Sequence, residues 1–148
     1  MNIVITGGSG FVGSYLCERL INDGHNLIVV DNLLTGSTEN ISDLMDNDNF
    51  SFIEHDVQNH IEIENKVDYV LHFASAASPK AYTEHPVNTL KAGSIGTLNT
   101  LGLAKKHNSQ YLLASTSEVY GDPLISPQNE EYWGCLLYTS PSPRDNTT

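Results

Sequence analysis

The glycine-rich stretch "GGSGFVG", residues 7–13, constrains the fold more than any other part of the chain. It follows a short β-branched run, "NIVIT", and it precedes a segment in which Val12, Leu16 and Leu20 recur every four residues, as on one face of a helix. Glycines spaced G-x-G-x-x-G between a strand and a helix let the backbone approach a pyrophosphate closely at the helix N-terminus. The stretch therefore predicts a dinucleotide-binding βαβ unit.

Asp31 supplies the second half of this pattern. It ends the next buried run, "HNLIVVD", near the offset of about 20 residues at which an acid accepts hydrogen bonds from the cofactor ribose. A carboxylate there repels a 2′-phosphate, so the sequence favours NAD over NADP. No G-K-[S/T] follows the glycines, which argues against a P-loop. The alternative interpretation is a purely structural glycine turn.

Three more strand-like runs lie at residues 50–56, 67–75 and 109–117, and Pro86 is placed to open a long helix. Strands that alternate with helices predict parallel βαβ units with right-handed crossovers. The expected fold class is therefore α/β: a Rossmann-like, doubly wound parallel sheet of order 3-2-1-4-5, truncated after about five strands. Ligands of such sheets bind at the carboxyl ends of the strands, where all the motifs lie.

The net charge of −11, from 7 basic and 18 acidic residues, argues against nucleic acid or an anionic membrane as a partner. The N-terminus lacks the features of a signal peptide, and no apolar run approaches the roughly 18 residues of a membrane span. Cys17 and Cys135 show neither metal-ligand spacing nor a disulfide framework. We expect a cytoplasmic protein without a metal.

Other strand ends carry further candidates. Asp56 and Val57 could contact adenine, although Asp56 is equally suited to capping a helix. His72 lies inside an apolar run and is expected to be a hydrogen-bonded core histidine. The stretch "ASTSEVYG", residues 114–121, groups two hydroxyls with the carboxylate of Glu118. Such a group can bind a sugar hydroxyl and move protons, although Ser and Thr also satisfy turn amides.

Taken together, "ITGGSGFVG", "DNLLTG", "HDV", "HFASAASP", "IGTLN" and "STSEVYGDP" resemble the extended short-chain dehydrogenase/reductase (NAD-dependent epimerase/dehydratase) family. Within it, the chain is most similar to the UDP-glucuronate decarboxylases, which make UDP-xylose. The resemblance covers residues 1–134. Sugar-nucleotide 4,6-dehydratases have Asp where Ser117 stands, which favours the decarboxylases. The alternatives are a 4,6-dehydratase, a 4-epimerase or a non-catalytic NAD-binding module.

The resemblance implies a role for each matching position. The implied NAD-binding residues are Gly7, Gly10, Phe11, Val12, Gly13, Asp31, Asn32, Thr35, Gly36, Asp56, Val57, Phe73, Ala74, Ser75 and Ala114. The implied UDP-sugar-binding residues are Ala77, Tyr82, Lys91, Asn99 and Gly102, and the implied catalytic residues are Thr116, Ser117 and Glu118. Gly93 departs from the family, which usually has Asn there.

The resemblance also implies a mechanism. A Tyr-x-x-x-Lys pair acts as the base, C4 of UDP-glucuronate is oxidised, and the 4-keto intermediate loses carbon dioxide before C4 is reduced again. No tyrosine of this sequence is followed four positions later by lysine. We therefore expect the chain to be catalytically incompetent, although its parent is expected to be an enzyme. The resemblance implies that the parent enzyme is a homodimer.

The stretch "CLLYTSPSPRD", residues 135–145, lacks any hydrophobic period. It reads like the in-frame translation of the adapter used in transposase-based sequencing libraries. The expected organisation is therefore an incomplete NAD-binding domain over residues 1–134 and a non-native, disordered tail over residues 135–148. The alternative is a native Ser/Pro-rich linker.

Overall fold

Five parallel strands form one sheet of order β3-β2-β1-β4-β5 in the computed structural model, which describes residues 1–132 except the side chain of Glu118. The strands are β1 (Asn2–Thr6), β2 (Asn26–Asp31), β3 (Phe50–Glu54), β4 (Tyr69–His72) and β5 (Gln110–Leu113). The predicted α/β class and strand order are both confirmed. The predicted tail, residues 135–148, lies outside the described residues.

Helical segments follow β1, β2 and β4 as the alternation predicts, but residues 55–68, which join β3 to β4, contain no helix. They are α1 (Phe11–Asn22), a 3₁₀ helix (Thr38–Leu44), α2 (Pro79–Glu84), α3 (Pro86–Lys91), a π-helical segment (Ala92–Gly96), α4 (Thr97–His107) and a second 3₁₀ helix (Ser117–Tyr120). The helix expected from Pro86 is present as α3, the π-helical segment and α4 in succession. The first 3₁₀ helix and α2 were not expected from the sequence.

Each face of the sheet carries its own apolar cluster, because successive side chains of a strand point to opposite faces. On one face, Ile3 and Ile5 of β1 pack with Cys17 of α1. On the other, Val4 packs with Leu103 of α4. Continuous apolar runs are therefore required in the central strands, which are buried on both sides.

Helix α1 uses a slightly different face from the one that the spacing suggests. Leu16 and Leu20 pack against the core, but Val12 is 59% exposed. Gly13 and Cys17 are the fully buried residues of the helix. Val12 belongs to the first turn of α1, at the carboxyl edge of β1.

The described residues divide into two compact units, Met1–Ala114 and a second that begins at Ser115. The sheet and its covering helices belong to the first unit. Within residues 1–132, no helix is long and apolar enough to cross a membrane.

Candidate dinucleotide-binding site

The turn between β1 and α1 is built almost entirely from backbone. The N–H of Gly10 donates to the carbonyl of Gly7 at 3.2 Å, which closes the turn. A Cβ atom on Gly13 would lie 2.2 Å from that same carbonyl oxygen, so no larger residue fits there. Helix α1 begins without a side-chain cap on its first amides and without an acid in its first turn. The amides at its N-terminus are thus arranged to meet a negatively charged group.

Asp31 fastens the loop after β2 to this turn. The residue is 8% exposed, and one carboxylate oxygen, Oδ2, accepts from the N–H of Ser9 at 3.0 Å. The other oxygen, Oδ1, accepts from the N–H of Leu33 at 2.9 Å. Each carboxylate oxygen can accept more than one hydrogen bond, so both remain able to receive a ribose hydroxyl.

Leu33 has a left-handed backbone, with φ of 57°. This conformation costs a non-glycine residue about 1–2 kcal/mol. The bond from its N–H to Asp31 offsets part of that cost. The hydrogen bond to Asp31 therefore ties the conformation of this loop to the expected ribose-binding acid.

The loops after β2 and β3 meet at the same edge. The side-chain amide of Asn32 donates to Asp56 Oδ2 at 3.1 Å. Asp56 Oδ1 accepts from the N–H of Gln58 at 2.9 Å, so Asp56 caps a turn and not a helix. The side-chain amide of Asn99 donates to the carbonyls of Val57, at 2.8 Å, and Asn59, at 3.0 Å. Helix α4 therefore holds the loop that carries Asp56 and Val57.

Two titratable groups lie buried beneath the edge. Burial, with a smaller contribution from the charge of Asp31, raises the pKa of Cys17 to about 12, and its Sγ donates to the carbonyl of Gly8 at 3.8 Å. Burial also lowers the pKa of His72, whose Nδ1 shares a hydrogen bond of 2.6 Å with Thr6 Oγ1. The expectation of a hydrogen-bonded core histidine is confirmed. Through these hydrogen bonds, Cys17 links α1 to the glycine turn and His72 links β4 to β1.

The predicted cofactor-binding residues lie at successive strand ends of one edge. The end of β1 is followed by Gly7, Gly10, Phe11, Val12 and Gly13, and the end of β2 carries Asp31, Asn32, Thr35 and Gly36. After β3 come Asp56 and Val57, after β4 come Phe73, Ala74 and Ser75, and after β5 comes Ala114. Hydrogen bonds link the first three groups through Ser9–Asp31 and Asn32–Asp56. The β4 group lies beside the first, since a Cβ on Gly7 would be 2.7 Å from the amide nitrogen of Ala74.

The predicted sugar-binding residues are more scattered. Ala77, Tyr82, Lys91 and Gly102 have exposed positions, from the loop before α2 to the middle of α4. Asn99 is half-buried, and its amide group is engaged with the loop after β3. Their common role as a sugar site stays a prediction.

The predicted catalytic residues belong to the second unit. Thr116 and Ser117 have exposed positions at the start of a 3₁₀ helix, where the N–H of Val119 donates to the carbonyl of Thr116 at 3.3 Å. The side chain of Glu118 lies outside the described residues. Ser117 lines a shallow pocket of about 250 Å³ with Tyr120, Gly121, Pro123 and Gln128. Their catalytic role stays a prediction.

The residues present fit a dinucleotide better than they fit a metal. Gly13 lets α1 start against the backbone of Gly7 and Gly8, and the first amides of α1, which no side chain caps, can donate to a pyrophosphate. Asp31 stands at the neighbouring strand end. Among residues 1–132, no group of three or more His, Cys, Asp or Glu side chains is arranged to hold a metal ion.

Sequence reasoning missed two residues of this edge. Leu33 carried no signal, because nothing in its residue type indicates a left-handed backbone. Asn40, in the first 3₁₀ helix, donates its side-chain amide to the carbonyl of Ser9 at 2.8 Å, across 31 positions of sequence. Only the three-dimensional fold brings Asn40 to Ser9.

Known proteins share both the sequence and the fold. Residues 3–139 match the NAD dependent epimerase/dehydratase family. The UDP-glucuronic acid decarboxylase 1 of Danio rerio is 54% identical over 132 residues, which are 89% of this chain and 31% of that protein. The chain thus spans about a third of the length of the curated relatives it matches.

Solved structures agree. A crystal structure of UDP-galactose 4-epimerase is 32% identical and superimposes with a TM-score of 0.77, covering 92% of this chain and 45% of that one. The UDP-glucose 4-epimerase from Bifidobacterium longum, in complex with NAD⁺ and UDP, is 28% identical with a TM-score of 0.76, covering 88% and 42%.

The chain belongs to the NAD-dependent epimerase/dehydratase family, whose members bind NAD. Curated relatives that are 53–54% identical to it are UDP-glucuronic acid decarboxylases from Danio rerio, Xenopus tropicalis and Arabidopsis thaliana.

Proposed function

We propose that the first unit binds NAD at the carboxyl edge of β1 and β2. The observation that carries this proposal is the bond from the N–H of Ser9 to the buried carboxylate of Asp31, because it joins the glycine turn to the ribose-binding acid. The pyrophosphate would lie over the turn at the N-terminus of α1, and the adenosine over Asp56 and Val57. Phe73, Ala74 and Ser75 would line the other half of the cofactor.

Asp31 would select NAD over NADP. Its carboxylate is buried among backbone amides and would accept the ribose hydroxyls. A 2′-phosphate at the same place would put two negative charges in contact, away from bulk water. The chain's net charge of −11 gives that phosphate no compensating field.

For the whole protein, we propose the decarboxylation of UDP-glucuronate to UDP-xylose through a 4-keto intermediate. Identity of 54% with a UDP-glucuronic acid decarboxylase supports this reaction, as does Ser117 in place of the dehydratase Asp. Thr116, Ser117 and Glu118 would orient the sugar 4-hydroxyl and move its proton, and Ala77, Tyr82, Lys91, Asn99 and Gly102 would contact the UDP-sugar. Bound NAD supplies the hydride acceptor and donor for this chemistry.

The 148-residue chain itself is proposed to bind NAD without turnover. None of its tyrosines is followed four positions later by lysine, the pair that the family resemblance implies as the base. A 4-epimerase is the second candidate, favoured by the structural similarity to UDP-galactose 4-epimerase. Both reactions begin with oxidation at C4, so the same NAD site serves either.

Calorimetric titration of the full chain with NAD⁺ and NADP⁺ tests the cofactor proposal. We expect NAD⁺ to bind at least tenfold more tightly, and Asp31→Ala to abolish that preference. Asp46→Ala, which removes an exposed acid beyond the 3₁₀ helix, is the matched control and should keep it. Equal affinity for both cofactors in the unchanged chain would contradict the assignment of Asp31.

The reaction is tested separately, by incubating UDP-glucuronate with the longer protein and with this chain. Release of carbon dioxide and formation of UDP-xylose, followed by NMR, would support the decarboxylase, whereas an epimerised UDP-uronate would support the second candidate. Turnover by the 148-residue chain would show that the proposed lack of catalysis is wrong.

A further inference from the structure

The peptide groups of Ser9 form the centre of a hydrogen-bonded cluster inside the glycine turn. Ser9 is fully buried. Its N–H donates to Asp31 Oδ2 at 3.0 Å, and its carbonyl accepts from the N–H of Ser37, at 3.2 Å, and from Asn40 Nδ2, at 2.8 Å. The turn is therefore held on both sides of Ser9, by the last residue of β2 and by the segment that follows β2.

The same segment packs directly on the turn. A Cβ atom on Gly36 would lie 3.0 Å from both the carbonyl carbon and the carbonyl oxygen of Ser9. Ser37 then caps the 3₁₀ helix, since its hydroxyl accepts from the N–H of Glu39 at 3.2 Å. The helix places Asn40 so that its side chain reaches back over this contact. The backbone of Asn40 lies outside the glycine turn, and the residue is exposed, although its bond to Ser9 is partly buried.

We propose that Asn40 is a positioning residue for the bound dinucleotide. Its amide holds the Ser9 carbonyl and thereby fixes the orientation of the peptides that follow, which lead into the first amides of α1. The turn is then shaped before the cofactor arrives, and less ordering is required on binding. This inference rests on the proposed NAD site, and it assigns a role that neither the residue type of Asn40 nor its position in the sequence indicates.

The test compares Asn40 with a matched asparagine at the opposite edge of the sheet. Asn26 is also exposed, and its Nδ2 donates to Asn2 Oδ1 at 2.8 Å, among the amino ends of the strands. Asn26→Ala and Asn40→Ala each remove one amide donor. Asn40→Leu keeps nearly the same side-chain shape while removing the donor, so it separates hydrogen bonding from packing.

Two readouts on the full chain are needed. Titration with NAD⁺ should show affinity about three- to tenfold weaker in both Asn40 variants, the range expected for one hydrogen bond. Amide hydrogen exchange without cofactor should show faster exchange at Ser9 and Ser37 in these variants. Asn26→Ala should change neither, and all variants should melt within a few degrees of the unchanged chain.

The outcomes separate this inference from the proposed function. If the unchanged chain binds NAD⁺ and the Asn40 variants bind equally well, or no worse than Asn26→Ala, the positioning role is overturned alone. Faster exchange without weaker binding also overturns it, because the bond would then serve only the loop. If the unchanged chain fails to bind NAD⁺, the proposed function falls and this inference falls with it.

Discussion

The central strand β1 and the edge strand β5 are both short apolar runs, yet their surroundings differ sharply. Val4 and Ile5 of β1 are fully buried, whereas Leu112 and Leu113 of β5 are each 48% exposed. Strand β1 pairs with both β2 and β4. Among residues 1–132, β5 pairs only with β4. An apolar run therefore predicts a strand, but the burial of its side chains depends on which strands and helices pack against it.

The difference extends to the strand ends. At β1, backbone and buried side chains fix the turn that carries the proposed cofactor site, through Gly13, Ser9 and Asp31. At β5, Ala114 is exposed and its N–H donates to the carbonyl of His72 at 3.0 Å. The turn at the centre of the sheet is thus fixed by several packing contacts and hydrogen bonds, while β5 is held mainly by its backbone hydrogen bonds to β4.

The largest effect is expected at the central turn. Gly13→Ala would place a Cβ 2.2 Å from the carbonyl oxygen of Gly7, a backbone atom that cannot move without opening the turn. We expect a loss of about 4 kcal/mol or more in the free energy of unfolding. Gly102→Ala, in α4 with open space around it, should instead raise stability by about 0.5–1 kcal/mol. Urea denaturation measures both, and equal effects would contradict the crowding at Gly13.

A core truncation should sharpen the contrast between the two strands. Ile5→Ala removes a side chain that is fully buried against Cys17 and Leu27 and should cost about 2–5 kcal/mol. Leu112→Ala removes a half-exposed side chain and should cost about 1 kcal/mol, because less apolar surface returns to water. Urea denaturation measures the loss of unfolding free energy in both variants. A cost at Leu112 as large as that at Ile5 would show that β5 is covered in solution.

The smallest effect is expected from acid, at β4. Burial lowers the pKa of His72 below its ordinary value near 6.5, so the folded chain binds its proton less readily than the unfolded chain. Stability should therefore fall as pH drops below about 6.5, by at most about 1.4 kcal/mol per pH unit from this residue. His72→Asn should flatten that slope between pH 7.5 and 5.5 in thermal melts, relative to His25→Asn at the partly exposed position before β2. An unchanged slope would mean that the pKa of His72 is the same in the folded and unfolded chains, which would contradict the effect of its burial.

The sequence was sufficient for the parts of the fold that depend on local pattern. The glycine turn, the acid at the end of β2, the strand order and the buried state of His72 were all predicted, because apolar runs and glycine spacing encode them directly. The left-handed Leu33 and the reach of Asn40 to Ser9 were not predicted. The bond from Asn40 joins segments 31 positions apart, whereas Leu33 donates to Asp31 only two positions away; neither residue type carries a signal.

Helix α1 shows where a local pattern misleads. Val12 has the apolar spacing of Leu16 and Leu20, but it lies beyond the end of the sheet and remains exposed. The spacing specifies a face of the helix, whereas the length of the neighbouring strands decides how far along that face burial extends. At Val12 the apolar face continues past the core, at the position where the family resemblance implies cofactor contact.

The buried thiol of Cys17 is a built-in reporter of local opening at the glycine turn. With a pKa of about 12, it is almost entirely protonated at neutral pH, and it is fully enclosed between α1 and the sheet, with Sγ directed at the carbonyl of Gly8. A thiol reagent can reach it only when α1 lifts from β1 and β2, since the thiolate is the reactive form and needs solvent to ionise. With Cys135 replaced by serine, the rate of modification of Cys17 therefore measures how often α1 separates from the sheet beside the proposed cofactor site.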